Sequence, residues 1–404
     1  MQIPEGWEEY DLRSILKYEQ PYKYSVNSTN YNKNGIPVLT AGKSFILGYT
    51  AEKEGIYNNL PVVIFDDFTT DSKFVDFPFK VKSSAMKFLK EKEEGKISLK
   101  LLFEIISQLK YYSIGGDHKR RWISDFSKKK VLLPKSLTEQ KKIAEILSKV
   151  DTAIEQTQSL ITKYQRIKTG LMQDLLTKGI DENGNIRSEE THEFKDSELG
   201  RIPKEWEVAE LFKITTEDIC YGIVQVGKHI NNGIPTIAIK DLNTDYQNVH
   251  LTSLEIESTY KRSRVVNGDL LISIKATTDK IDIVPETFIG NISRDIAKIR
   301  FDEECNSRFY KNYFLSPFGK QTLSLITVGS TRKEISIAPL KRIKVIKPPL
   351  KEQNRIVLSL IELDSKIRYD HLNMNKLQSL KTGLMQDLLS GKKRVSSLIM
   401  NGKL

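Results

Sequence analysis

The clearest pattern along the chain is a heptad spacing of apolar residues that occurs twice. Apolar residues alternate at spacings of four and three from Ile143 to Leu175, and again from Ile356 to Leu388. This a/d pattern is typical of a helix that packs along its length against another helix. We therefore predict long spacer helices over residues 136–179 and 350–394, and each core segment would form a rod of roughly 57 Å.

Both heptad segments carry polar residues at the same two positions of the apolar seam. Thr157 corresponds to Asp370, and Lys168 corresponds to Lys381. A buried polar residue at such a position can fix the register of two paired helices. We expect the two segments to pair with each other in antiparallel orientation. The alternatives are that each helix packs only on its own domain, or that the helices pair between molecules.

The repeat extends beyond the seam. KTGLMQDLL stands at Lys168–Leu176 and again at Lys381–Leu389, and an offset of 213 relates the two segments back to Glu139 without a gap. IPEGWEEYDL at Ile3–Leu12 likewise corresponds to IPKEWEVAEL at Ile202–Leu211. A repeat that is present only twice indicates a duplicated module with a pseudo-two-fold relation between its copies.

Two regions of mixed character, 1–135 and 198–349, precede the heptad segments. They contain short β-branched runs bounded by turn residues, as strands require; these are PVVIF, VLLP, GIPTIAI, DLLISI, AKIRF and IKVIK. Helices are predicted near Ser98–Leu109 and Ser307–Leu315. The polar stretch 180–197 is interpreted as a linker, and 395–404 as a C-terminal tail. The predicted fold class is α+β, with two mixed α/β domains at opposite ends of a pair of long antiparallel helices.

Charge and composition narrow the function. The 404 residues carry a formal net charge of +11, and a basic balance favours a nucleic-acid partner, although many basic proteins never bind DNA. We expect no membrane span, because the chain lacks a run of about eighteen apolar residues. No secretory signal is apparent. The two cysteines, Cys220 and Cys305, form no CxxC pair, which favours a reducing, cytoplasmic location.

The motifs of the obvious catalytic classes are missing or imperfect. KPPL at Lys347–Leu350 lacks the amide and the aromatic ring of an adenine methyltransferase pocket, and the glycines of GIPVLTAGKS at Gly35–Ser44 are wrongly spaced for a P-loop. The ExK at Glu94–Lys96 lies in a charged run that is more typical of a solvated face. The five histidines show no metal-ligand spacing. We therefore expect no catalysis and no metal in this chain.

A basic, Gly-led loop stands before the last strand of each mixed region. GGDHKRRWIS begins at Gly115, and GSTRKEISIA begins at Gly329. Arginine and lysine in such a loop could reach phosphates or guanine edges of DNA. The alternative is an ordinary solvated turn.

Taken together, these features resemble the specificity subunit of type I restriction–modification enzymes. The resemblance rests on two variable regions that are each followed by an EQxxI…GLMQDLL helix, on the IPxxW openings and on the GID-containing linker. It covers nearly the whole chain. It implies that each mixed region is a target recognition domain for one half of a split DNA sequence, and that the helices set the gap. Because the two domains have diverged, we expect the split sequence to be asymmetric.

The resemblance also implies partners. Two modification subunits would transfer a methyl group from S-adenosylmethionine to adenine, and motor–nuclease restriction subunits would cleave unmodified DNA. S-adenosylmethionine, ATP and Mg are expected only in those partners, so this chain holds no cofactor and is not an enzyme. Seam packing does not require the repeated off-seam residues, which we expect to dock the partners: Thr169, Gly170, Gln173, Asp174, Thr382, Gly383, Gln386 and Asp387. The competing interpretation is a coiled-coil scaffold that assembles partners without reading DNA.

Candidate DNA contacts follow from the basic loops and from predicted strand ends. The main candidates are Lys119, Arg120 and Arg121 in the first domain and Thr331, Arg332 and Lys333 in the second. Further basic candidates near strand ends are Lys43, Lys73, Lys240, Arg262, Arg264 and Lys275.

Overall fold

The structure, a computed structural model, describes residues 3–40, 44–109, 120–329 and 333–395. The chain divides into two compact units. The first unit comprises residues 1–158 together with 372–404, and the second comprises residues 159–371. Each unit combines one mixed α/β region with a part of each long helix, and each is described by itself below.

The mixed region of the first unit is built from short antiparallel strands and small helices. Its strands are β1 (Trp7–Asp11), β2 (Leu16–Glu19), β3 (Ile36–Leu39), β4 (Ile46–Thr50), β5 (Val62–Asp66), β6 (Ser72–Val75), β7 (Lys80–Val81), β8 (Met86–Glu91) and β9 (Lys130–Pro134). Its α-helices are α1 (Leu12–Ile15), α2 (Leu99–Ile106) and α3 (Arg121–Ser124). The main sheet has the order β2-β8-β5-β6, a second has the order β4-β3-β7, and β1 pairs with β9.

The first long helix, α4 (Leu137–Thr177), follows β9 directly. Its start is fixed by side chains, because the Ser136 hydroxyl accepts a hydrogen bond from the Glu139 backbone N–H at 3.4 Å. The Gln140 side-chain amide also donates to the carbonyl of Pro134 at 2.8 Å. Beyond the C-terminus of α4, Gly179 has a φ of +73°, the left-handed conformation in which helices commonly end.

The second unit repeats these elements. Its strands are β10 (Phe194–Ser197), β11 (Gly200–Pro203), β12 (Glu207–Glu210), β13 (Cys220–Tyr221), β14 (Ile234–Ile237), β15 (His250–Thr252), β16 (Leu270–Ser273), β17 (Lys275–Ala276), β18 (Ile281–Ile283), β19 (Asn291–Ile292), β20 (Ile296–Ile299), β21 (Thr327–Val328), β22 (Lys333–Ile335) and β23 (Lys344–Lys347). Its helices are α5 (Leu254–Ser258), α6 (Ser307–Leu315), α7 (Pro317–Leu325) and α8 (Ile337–Arg342), followed by the long α9 (Leu350–Leu388).

The two mixed regions share one plan of strand pairing. The sheet β13-β20-β16-β18 corresponds to β2-β8-β5-β6, the sheet β15-β14-β19 corresponds to β4-β3-β7, and the pair β12–β23 corresponds to β1–β9. In both three-membered sheets the central strand pairs antiparallel with one neighbour and parallel with the other. The duplication that the sequence predicts is therefore present in the fold, and the α+β class is confirmed.

The core of the first unit joins its mixed region to both long helices. Trp122 of α3 is buried in the same hydrophobic cluster as Ile143 and Leu147 of α4 and Met385 and Leu388 of α9. The start of one helix and the end of the other therefore both pack on this region. Packing of each helix only on its own domain, one of the alternatives left open by the sequence, does not describe this unit.

The core of the second unit has the matching composition. Met172 and Leu175 from the end of α4 and Ile356 and Leu360 from the start of α9 are buried in one cluster with Trp206. The buried seam residues thus serve two purposes, since they face the other helix and also close the core of a mixed region.

The polar seam lysines form salt bridges with the other helix. In the first unit Lys381 Nζ lies 2.6 Å from a carboxylate oxygen of Asp151. In the second unit Lys168 Nζ lies 2.5 Å from Asp364. At a third polar position, the Thr157 hydroxyl donates to the Ala153 carbonyl of its own helix at 2.8 Å. The lysines therefore connect the helices through charge.

The stretch 180–197, interpreted above as a linker, is more structured than its polar composition indicates. Ile180 is buried in the second core, and strands β10 and β11 form an antiparallel pair. Arg187 is buried as well, with 8% of the residue exposed. Among the described residues, no helix is long and apolar enough to cross a membrane.

Candidate nucleic-acid interface

An exposed arginine and an exposed tyrosine lie together on the second unit. The Arg262 guanidinium is 5.8 Å from the centre of the Tyr221 ring, and 38% of Tyr221 is exposed. Within the described part of the chain, no carboxylate forms a salt bridge with Arg262. A guanidinium in cation–π contact with an exposed ring can also contact phosphates and bases, because its hydrogen-bond donors remain available.

A buried lysine holds the backbone beneath this pair. Lys298 is 2% exposed, and its ammonium donates to the backbone carbonyls of Arg262 at 2.7 Å and Arg264 at 3.2 Å. The same ammonium donates to Glu217 at 2.7 Å, and this hydrogen bond lowers the pKa of the Glu217 carboxyl. The turn that carries Arg262 is thereby fixed to strand β20.

Tyr221 also borders a cleft of about 410 Å³. The cleft contains Arg294, which is half-exposed, and Lys275, whose ammonium lies 3.4 Å from Glu334. The backbone beside Tyr221 is closely packed, since a Cβ atom at Gly222 would lie 1.8 Å from the Ile292 carbonyl oxygen. Cations and an aromatic ring around one cleft provide the groups that contact phosphates and base edges.

The remaining basic candidates of the second unit lie in different surroundings. Arg264 is held by Glu257 through two hydrogen bonds of 2.7 Å, and this guanidinium lowers the pKa of the Glu257 carboxyl. Lys240 and Lys333 are exposed. The predicted contacts Thr331 and Arg332 lie outside the described residues. Lys275 is thus the candidate that lines the cleft, and Arg262 is the candidate that lies beside Tyr221; all of these roles stay predictions.

In the first unit, the described basic candidates surround the β5–β6 turn. Arg120 is exposed and precedes α3. The Arg121 backbone N–H donates to the Asp67 carbonyl at 3.2 Å, and Lys73 is exposed on β6. Lys43 and Lys119 lie outside the described residues.

The sequence matches the family model of the type I restriction modification DNA specificity domain over residues 4–163 and 203–380. These ranges include most of both mixed regions and of both long helices. The chain belongs to this family.

Known members of the family resemble the chain over different lengths. It is 50% identical over 147 residues to the EcoR124I/EcoR124II specificity subunit of Escherichia coli, an alignment that covers 34% of this chain and 36% of that protein. It is 27% identical over 431 aligned positions to the MjaVIII specificity subunit of Methanocaldococcus jannaschii, covering 98% of this chain and 95% of that protein. The crystal structure of a type I S subunit from M. genitalium has a similar fold, with a TM-score of 0.59 at 15% identity, covering 96% of this chain and 98% of that one.

The repeated off-seam residues of the chain are on the surface. On α4, Thr169, Gly170 and Gln173 are exposed, and Asp174 forms a salt bridge of 2.9 Å with Lys178. A Cβ atom added at Gly170 would meet nothing within 4 Å. Packing within the chain therefore does not explain this glycine.

The second copy has the same character. On α9, Thr382, Gly383 and Gln386 are exposed, and Asp387 forms a salt bridge of 3.3 Å with Lys393. Gly383 also has open space around its Cβ position. The identity of the two copies at these positions is thus not required by the fold.

Sequence reasoning missed Tyr221 and Arg294. The sequence candidates are basic residues in Gly-led loops or near predicted strand ends, a criterion that leaves out aromatic residues. In CYGI at Cys220–Ile223, an aromatic residue stands directly before a glycine. This glycine could have indicated a position where another backbone segment packs closely. The cation–π contact of Arg262 with Tyr221 joins residues 41 positions apart, which composition does not reveal.

Proposed function

We propose that this type I specificity subunit reads an asymmetric, split DNA sequence, with one target recognition domain for each half. The observation that carries the proposal is that one plan of strand pairing is built twice, while the exposed residues differ between the two copies. Because the two domains share one architecture, both can bind DNA in the same way. Their different surface residues let each domain recognise its own bases, because side chains read the base edges.

The long helices act as an antiparallel spacer that fixes the gap between half-sites. Two salt bridges support this role, Asp151–Lys381 in one unit and Lys168–Asp364 in the other. The offset of 213 that relates the sequence repeats also relates these two pairs, as a pseudo-two-fold axis requires.

The exposed faces around Gly170 and Gly383 each dock one modification subunit. A mid-helix glycine costs roughly 0.5–1 kcal/mol relative to alanine, so its presence at both exposed positions favours close approach by a partner. The chain itself carries no catalysis. The bound modification subunits supply S-adenosylmethionine chemistry, and restriction subunits with ATP and Mg join the same complex. A cytoplasmic location stays a prediction.

The test is to co-express the chain with its modification subunit in a host without adenine methylation and to map methyladenine across the genome. The proposal predicts methylation at one asymmetric split sequence that disappears when this chain is omitted. A complex that forms but leaves the genome unmethylated would favour the scaffold interpretation. Absence of a complex would contradict the docking role of the repeated helix faces.

A further inference from the structure

The segments that follow β5 and β16 in the two recognition domains have corresponding sequences that differ at one of four positions. FTTD at Phe68–Asp71 follows β5, and ATTD at Ala276–Asp279 occupies the same place after β16, with a constant offset of 208. The strands enclose turns of equal length. Phe65 pairs with Ser72 in the first hairpin, and the Ser273 backbone N–H donates to the Lys280 carbonyl at 2.9 Å in the second.

The first of these turns is fixed by its own side chains. One carboxylate oxygen of Asp66 accepts from the Phe68 backbone N–H at 2.8 Å, and the other accepts from the Thr69 hydroxyl at 2.8 Å. Thr70 has a φ of +65°, a conformation that a β-branched residue rarely adopts. The turn therefore has a defined shape, in which Phe68 has a fixed backbone position.

Phe68 itself is left in solvent by this turn. Its exposed fraction is 55%, whereas Phe65, three residues earlier, is fully buried. A large aromatic residue at the tip of a rigid turn loses the contacts that normally favour its burial. Local structure explains the turn but gives no reason for an aromatic side chain at its tip.

The turn is also joined to the basic segment of the first domain. The Asp67 carboxylate accepts from the Trp122 backbone N–H at 2.9 Å and forms a buried salt bridge of 3.2 Å with Lys87. The Asp67 carbonyl accepts from the backbone N–H of Arg121. Phe68 is therefore held beside the segment that begins at Arg120, where cations can contact phosphates on either side of an apolar base contact.

We propose that Phe68 is a specificity-determining residue that makes an apolar contact with a base in the half-site of the first recognition domain. Aromatic side chains contact thymine methyl groups or press against base steps, and both contacts distinguish base pairs. In the second domain the corresponding residue is Ala276, which lies in β17 and pairs with Lys333 of β22. Its side chain is too short for this contact, so the two half-sites are read differently. This inference rests on the proposed function.

The experiment compares the methylated sequence and the relative methylation rates of the wild-type complex with those of Phe68→Ala, Phe68→Tyr and Ala276→Phe. Phe68→Ala is expected to lose roughly ten- to hundred-fold in discrimination at one base pair, or two adjacent ones, in one half-site. Phe68→Tyr should retain the wild-type preference. Ala276→Phe should alter only the other half-site.

Thermal unfolding and complex assembly serve as controls, and neither should change in Phe68→Ala because the side chain is exposed. A wild-type split sequence that Phe68→Ala leaves unchanged overturns this inference alone, as does a uniform loss of rate on all sequences. A wild-type complex that methylates no split sequence overturns the proposed function and this inference with it.

Discussion

The buried carboxylate of Glu352 accepts four hydrogen bonds in the second unit, and its replacement gives a quantitative test of the structure. The side chain is 2% exposed and forms a salt bridge with Arg187, whose side chain is 9% exposed. It also accepts from the Trp206 indole N–H at 3.0 Å and from the Ile180 backbone N–H at 2.8 Å. This carboxylate therefore ties the start of α9 to the segment that follows α4.

The change Glu352→Gln keeps the shape of the side chain and removes its charge. The buried guanidinium of Arg187 is then left without a counter-charge, and breaking a buried ion pair in this way costs about 3–5 kcal/mol. The repeat supplies a matched control, since Glu139 occupies the equivalent position and pairs with Arg394 at 2.7 Å. The Arg394 side chain is 34% exposed. Water can therefore solvate it in Glu139→Gln, where we expect a loss of only about 1 kcal/mol.

Urea denaturation of the purified complex, monitored by circular dichroism and tryptophan fluorescence, measures both losses in the free energy of unfolding. Glu352→Gln should shift the transition of the second unit by several times the shift that Glu139→Gln causes in the first. Equal shifts in the two variants, or a loss below about 1 kcal/mol for Glu352→Gln, would refute the reasoning from burial.

Three further predictions concern the helix faces, a buried acid and the DNA surface. Gly170→Ala and Gly383→Ala should each stabilise the isolated chain by about 0.5–1 kcal/mol and weaken the complex with modification subunits. Thermal unfolding measures the first effect and analytical gel filtration the second. Unchanged assembly of the complex would count against docking at these helix faces. Burial raises the pKa of Glu104 above its usual value of 4.5, although Lys381 lies 3.8 Å away. The stability that protonated Glu104 contributes is therefore complete below pH 4.5 and is lost as the pH rises through the raised pKa. Glu104→Gln should gain stability over wild type in urea titrations as the pH rises from about 4 to about 8, and a constant difference would contradict this. Arg262→Ala should weaken DNA binding by about 1–3 kcal/mol in an anisotropy titration without loss of stability, whereas Arg264→Ala should mainly lower stability. If Arg264→Ala instead weakened DNA binding and Arg262→Ala lowered stability, Arg264 would be the DNA contact and Arg262 the structural residue.

The helices were the most predictable part of the fold, because their evidence is local. The heptad spacing of apolar residues predicted a helix over residues 136–179, and α4 extends from Leu137 to Thr177. The second helix was predicted to reach residue 394, but α9 ends at Leu388. Gly391 adopts a φ of +70°, and the chain then turns so that Arg394 reaches Glu139. That contact joins residues 255 positions apart, and no local pattern indicates it.

The polar stretch after α4, in contrast, was among the parts of the fold that the sequence did not predict. Its composition is that of a linker, yet Ile180 and Arg187 both bond to Glu352, at separations of 172 and 165 residues. Composition indicates how exposed to solvent a segment is on average. Whether one of its residues forms a buried ion pair depends on a single partner that is distant in the sequence. The DNA surface has the same property. Lysine and arginine can be counted in the sequence, whereas the cation–π contact of Arg262 with Tyr221 and the salt bridge of Arg264 with Glu257 depend on how the strands are arranged.

The central claim is that each recognition domain reads its own half of a split site. The most direct measurement is to map methyladenine genome-wide in parallel for the wild-type complex, Phe68→Ala and Arg262→Ala. The account predicts that Phe68→Ala changes the base preference in one half of the methylated sequence, that Arg262→Ala changes it in the other half, and that the gap between the halves stays constant. Changes by both variants in the same half, or by either variant in both halves, would contradict it.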